Sequence, residues 1–168
     1  GNKVRDKDAI TSALLAAEIA ATQKNLGSSF YEYLIDSYLK FGLYHEELVS
    51  ITKEGKAGFE EIQQIMNDFR NNTPKSIAGI EIDKIDDYGK QIQLSLNGGK
   101  EKLPYPKSDV IGFTLVDGSK IAIRPSGTEP KIKFYFSVNT TLESIDAYTE
   151  TKKTLTSKCQ KLIQSLGI

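Results

Sequence analysis

The stretch 131–138 reads Lys-Ile-Lys-Phe-Tyr-Phe-Ser-Val, with Ile132, Phe134, Phe136 and Val138 at every second position. Successive side chains of a strand point to opposite faces. This period therefore puts four large apolar groups on one side and Lys131, Lys133, Tyr135 and Ser137 on the other. A shorter alternation recurs at Ile80 and Ile82, at Ile92, Leu94 and Leu96, at Phe113 and Leu115, and at Ile121 and Ile123. Asp117-Gly118, between the last two, is a hairpin signal. Strands joined by hairpins and flanked by helices predict an α+β layer: a four- or five-stranded, mainly antiparallel sheet with helices on one face.

Helical spacing supplies the flanks. Phe59, Ile62, Ile65, Met66 and Phe69 form a stripe stopped by Asn71-Asn72-Thr73-Pro74, and a last helix is expected over 142–166 through Leu155, Cys159 and Leu162. Upstream, 8–23 places Ile10, Ala13, Leu14, Ala17, Ala20 and Ala21 on a small face suited to close packing. Ser29 and Glu32 make a capping box for a second helix with Phe30, Tyr33, Leu34, Ser37, Tyr38 and Phe41 at helical spacing, closed by Gly42. Leu48, Val49 and Ile51 read as a strand or an extended connector. These two helices and the connector, 1–53, look like the tail of a preceding domain, and 54–168 like a self-contained α/β unit. A helix beginning this close to Gly1, with no initiator Met, suggests an excised fragment.

Composition narrows the chemistry. Lys and Arg number 22 against 22 Asp and Glu, with a pI near 6.8, so no global field favours nucleic acid or anionic membranes. Any anion must be caught by local geometry. The single cysteine, Cys159, excludes a disulfide framework and a cysteine-built zinc site, reads as core filler, and fits a reducing compartment. The single histidine, His45, beside Glu46 and Glu47, reads as a surface residue. Asp86 and Asp87 near Tyr88 are too few for a Ca²⁺ loop. No apolar run approaches the roughly 18 residues of a membrane span and no signal segment opens the chain, so a soluble, cytoplasmic protein is expected.

One loop concentrates donors. Arg124-Pro125-Ser126-Gly127-Thr128-Glu129-Pro130-Lys131 joins two of the expected strands. Two prolines restrict φ and reduce the entropy of holding one shape. Ser126 and Thr128 offer hydroxyls, Gly127 leaves backbone N–H groups approachable, and Arg124 offers a planar fork to two oxygens of one phosphate. Lys131 and Lys133, on the outgoing strand, either raise the local potential or simply occupy a solvated face. The P-loop spacing is absent.

This octapeptide closely resembles the C-terminal phosphate-binding loop of the α-D-phosphohexomutases, the phosphoglucomutase and phosphomannomutase family. Val4-Arg5-Asp6-Lys7-Asp8, followed by an Ala-rich helix, resembles the region after the sugar-binding loop of that family's third domain. Its form is closer to the phosphoglucomutase and phosphopentomutase branches. The resemblance runs over essentially the whole chain, as the end of domain three plus domain four. It implies that Arg124, Ser126, Gly127 and Thr128 hold the non-reacting phosphate of a sugar phosphate, with Lys7, Arg5 and Lys131 as further cleft-facing cations.

The resemblance also implies a longer enzyme that interconverts hexose 1-phosphate and hexose 6-phosphate through a phosphoserine, Mg²⁺ and a hexose 1,6-bisphosphate. Neither the nucleophile segment nor an Asp-x-Asp-x-Asp metal loop is present here, so this stretch is expected to be inactive alone. It should bind phosphate or sulfate at most, and its partners are the sugar phosphate and the remaining N-terminal domains of the same polypeptide. The region 45–58 is the expected hinge. A phosphopentomutase and a non-catalytic phosphate-binding module are the alternatives.

Overall fold

A computed structural model describes residues 7–168. In chain order the elements are α1 (Ala9–Asn25), α2 (Phe30–Phe41), β1 (Leu43–Thr52), α3 (Gly55–Asn71), β2 (Ser76–Ile77), β3 (Ile80–Asp87), β4 (Ile92–Ser95), β5 (Lys100–Lys102), β6 (Ile111–Leu115), β7 (Lys120–Pro125), β8 (Lys131–Thr140) and α4 (Tyr148–Ser165). They fall into two compact units, 1–43 with 141–148, and 44–140 with 149–168.

The first unit is helical. Asp8 caps α1 by accepting the Thr11 N–H at 2.9 Å. The Ser29–Glu32 capping box forms reciprocally at the start of α2, and Gly42 ends that helix at φ 92°. Such a cap contributes about 1 kcal/mol. Tyr148 stacks on Tyr38 at 6.1 Å between ring centroids.

The expected packing faces are corrected here. No residue of α1 is buried: its apolar side chains are left uncovered among the described residues. In α2 the buried residue is Ile35, outside the expected stripe, while Phe30, Tyr33, Leu34 and Phe41 are exposed.

The second unit is an eight-stranded sheet in the order β1-β8-β7-β6-β3-β4-β5, with β2 paired to β3. The five expected strands are all present as β3, β4, β6, β7 and β8. They are extended by β1 at one edge, by the three-residue β5 at the other, and by β2, which was too short to show a period. The pairs β3/β4, β3/β6, β6/β7 and β7/β8 are antiparallel. The β6–β7 hairpin turns through Val116, Asp117 and Gly118. Leu115 receives the Gly118 N–H at 2.9 Å and donates to Ser119 at 2.8 Å, and Gly118 alone takes a positive φ, 82°. This is a three-residue turn with a glycine bulge, not a two-residue Asp-Gly turn.

Burial follows the alternation. Ile132, Phe134, Phe136 and Val138 of β8, with Ile121, Ile123, Phe113 and Leu115, are at most 1% exposed. Ile62 and Met66 of α3 are buried too, and Phe69 packs edge-on against Phe134 at 6.0 Å. Each such side chain contributes roughly 1.5–3 kcal/mol, so β8 is firmly held and its opposite face is free to carry polar groups.

Two boundaries differ from expectation. Residues 44–52 are strand and group with the sheet by contact, so the compact units divide after Leu43, and the region 45–58 comprises most of an edge strand and the start of α3. Helix α4 starts at Tyr148 rather than near Leu142; Leu142 is buried outside any helix.

Candidate functional site

The polar face of β7 and β8 is built by pairing. Arg124 stands opposite Lys133, Ala122 opposite Tyr135 and Lys120 opposite Ser137, while Ile123/Phe134 and Ile121/Phe136 face the core. Beyond Pro125/Ile132 the ladder makes one more bond, Ser126 N–H to the Lys131 carbonyl at 2.7 Å, and the chain then turns through 126–130.

That turn is braced from inside and outside. Ser126 Oγ accepts N–H groups from Thr128 at 3.4 Å and Glu129 at 3.2 Å. Lys131 donates its N–H to the Glu129 carbonyl at 2.7 Å, and the Pro130 carbonyl accepts the Lys53 N–H at 2.8 Å. With two prolines restricting φ, little entropy remains to be lost on binding. A Cβ built on Gly127 meets nothing within 4 Å, and its φ is not in the left-handed region. The turn thus does not require a glycine for its backbone conformation, and the residue leaves open space where it lines the concavity.

The loop frames a concavity of about 300 Å³. Arg124, Ser126, Gly127, Thr128, Lys131 and Lys133 line it, together with Glu129 and Tyr135. Of the expected residues, Arg124, Ser126, Gly127, Thr128 and Lys131 are therefore together. Lys131 pairs with Glu129 at 3.1 Å, whereas Arg124 and Lys133 form no ion pair among the described residues. Three cations against one carboxylate leave a positive cradle, suited to a tetrahedral dianion. A hard dication does not fit: the one carboxylate present, Glu129, is held by an ammonium and ringed by cations.

Outside the octapeptide, Lys133 and Tyr135 are the lining residues that were not singled out as contacts. The signal was available, since Lys131, Lys133 and Tyr135 share the face opposite the apolar stripe. Lys7 is exposed just before α1, in the helical unit, and Arg5 lies outside the described residues. A larger concavity of about 460 Å³ lies farther along the open sheet face, but Glu46 and Asp86 line it and oppose an anion.

The remaining sequence candidates sit elsewhere. Asp86 accepts from Gln93 at 2.6 Å, and buried Asp87 pairs with Arg70 at 3.4 Å, so both are engaged in structural contacts. Cys159 is fully buried, as expected. His45 is half-buried rather than fully on the surface: its side chain is 20% exposed and meets Glu47 at 2.9 Å.

Comparison with known proteins gives a consistent picture. Residues 49–150 match the model of the phosphoglucomutase/phosphomannomutase C-terminal domain. The chain is similar to the phosphoglucomutase of Staphylococcus saprophyticus, 41% identical over 147 residues, covering 87% of this chain and 26% of that protein. It is 40% identical over 138 residues to the Staphylococcus epidermidis phosphoglucomutase, covering 81% and 25%. The chain thus spans about a quarter of the length of these relatives. Among solved structures, the open form of pp63/parafusin, an exocytosis-sensitive phosphoprotein and phosphoglucomutase from Paramecium, aligns with a TM-score of 0.51 at 19% identity. That alignment covers 100% of this chain and 29% of the other, and it speaks to the fold.

Proposed function

Because the chain belongs to the phosphoglucomutase/phosphomannomutase family through its C-terminal domain, we propose that the β7–β8 loop grips the non-reacting phosphate of a hexose phosphate within a longer mutase. The parent reaction on this reading is the interconversion of hexose 1-phosphate and hexose 6-phosphate. Residues 1–43 are the tail of the preceding domain.

The observation that carries the reading is the Arg124/Lys133 pair. Two cations in register, without carboxylate partners, open onto a glycine-cleared turn. Arg124 offers two parallel N–H donors and Lys133 a point charge, while the Ser126 and Thr128 hydroxyls address the remaining oxygens. The donors address phosphate and not the sugar ring, so the glucose preference rests on the relatives, which are phosphoglucomutases.

This division of labour places the chemistry elsewhere. Phosphoryl transfer needs a nucleophile and charge neutralisation at the reacting phosphate. Mg²⁺, which supplies that neutralisation when bound, does not fit the loop, and the hexose 1,6-bisphosphate activator acts on the parent enzyme. The contribution of this chain is to hold one end of the substrate so that the other end meets the reacting group at a fixed distance. A cytoplasmic setting suits the free thiol of Cys159.

Calorimetric titration of the 168-residue chain with glucose 6-phosphate, glucose 1-phosphate and glucose tests the proposal. Both phosphates should bind with similar, salt-sensitive affinity, glucose should not bind, and no mutase turnover should occur. Binding of glucose as tightly as its phosphates, or no binding of either phosphate, would overturn it.

A further inference from the structure

Away from the loop, one edge strand and the last helix bring three different donors together. His45 and Glu47 are two residues apart on β1 and so share a face. One ring nitrogen of His45, a carboxylate oxygen of Glu47 and the Cys159 thiol of α4 all lie within 4.8 Å of one another. We propose that these groups form a binding site for a single divalent transition ion of borderline softness, Zn²⁺ in the first instance, which clips β1 to α4.

The donor set selects the ion. Thiolate, imidazole and carboxylate are the ligands of Zn²⁺ and its Co²⁺ surrogate, whereas Mg²⁺ and Ca²⁺ take oxygen alone. Ligand bonds of about 2.0–2.3 Å separate tetrahedral donors by roughly 3.3–3.6 Å, so side-chain shifts of about 1 Å close the site, and water fills the fourth position.

Charge supports the same conclusion. The Cys159 side chain is fully buried and makes no hydrogen bond among the described residues. On binding a dication Cys159 gives its proton to solvent, and thiolate and carboxylate together neutralise the ion in a poorly solvated place.

Orientation and access are also provided. Gln160 Nε2 donates to Glu47 Oε2 at 2.6 Å, which leaves Oε1 turned toward His45. Such outer hydrogen bonds hold a ligand in its binding rotamer. The His45 and Glu47 side chains, 20% and 23% exposed, give the ion a route from solvent.

Titration of the reduced chain with Co²⁺ is the test. One equivalent should produce the near-ultraviolet thiolate-to-cobalt charge-transfer band with tetrahedral visible bands, and Zn²⁺ should abolish them while Mg²⁺ should not. His45→Ala and Gln160→Ala, both at partly exposed positions, should fold and lose about 10- to 100-fold in Zn²⁺ affinity. Zn²⁺ should raise the melting temperature of the parent chain and not that of Cys159→Ser. No charge-transfer band at one equivalent, or undiminished Zn²⁺ affinity in His45→Ala, overturns the proposal.

Discussion

Arg124 faces Lys133 directly across the β7–β8 ladder. Like charges in register on adjacent strands repel, typically by a few tenths to 1 kcal/mol. The buried partners Ile123/Phe134 and Pro125/Ile132 on either side hold the strands together despite this. The arrangement is strained without an anion and relaxed with one.

Lys133→Gln should therefore separate stability from binding. Without phosphate the variant should be as stable as the parent chain, or up to about 1 kcal/mol more stable. Phosphate should stabilise the parent by about 2.7 kcal/mol at 100 times its Kd, and the variant far less at the same concentration. Urea denaturation with and without phosphate reads both. Equal stabilisation of the two proteins would remove Lys133 from the site.

Arg124→Ala removes a charge-assisted fork worth roughly 2–3 kcal/mol, so phosphosugar affinity should fall by about 30- to 150-fold. In the longer enzyme the loss should appear in kcat/KM. Unchanged kinetics would take the loop out of the mechanism.

Gly127→Ala tests the open space. Its backbone is compatible with alanine and nothing stands within 4 Å, so folding stability should hold or rise by up to about 1 kcal/mol. The added methyl should obstruct the approaching phosphate, at a cost of about 1–3 kcal/mol in binding. Paired melting and titration experiments check the split; affinity equal to the parent's would place the anion on another side of the loop.

Cys159 predicts an alkaline limit for the metal-free chain. Its thiol is held up to about 11 by burial and by Glu47, so between the unfolded thiol's ordinary range and that value the folded state binds more protons. Stability is then fully present below about pH 8.5 and declines as pH rises through 11. Denaturation of the chain and of Cys159→Ala at pH 8 and 10.5 isolates this contribution, since the difference between them should shrink at the higher pH. In the same state, alkylation of the native thiol should be slow at pH 8 and rapid after unfolding.

Much of the fold was legible because its signals are local. The period of 131–138, the stripe from Phe59 to Phe69, the Ser29–Glu32 cap and the proline-braced octapeptide each arise within a few residues, where strand or helix geometry converts spacing into a face. The sequence by itself determined that β8 would be two-faced and that Arg124, Ser126, Gly127, Thr128 and Lys131 would gather at one turn. Adjacency along the chain makes that gathering almost unavoidable.

What spacing could not determine is which faces meet. Ile35 rather than Phe30 or Leu34 is buried in α2, and α1 buries nothing, because a stripe states a demand for a partner without naming one. Lys133 became the counterpart of Arg124 only through the register of two strands. His45 read as a surface histidine and Cys159 as filler while each stood alone, 114 positions apart. Packing of β1 beside α4 brought them, with Glu47, into one cluster. Such long-range placement depends on how buried surfaces fit together across the sheet, which no local pattern of residues encodes.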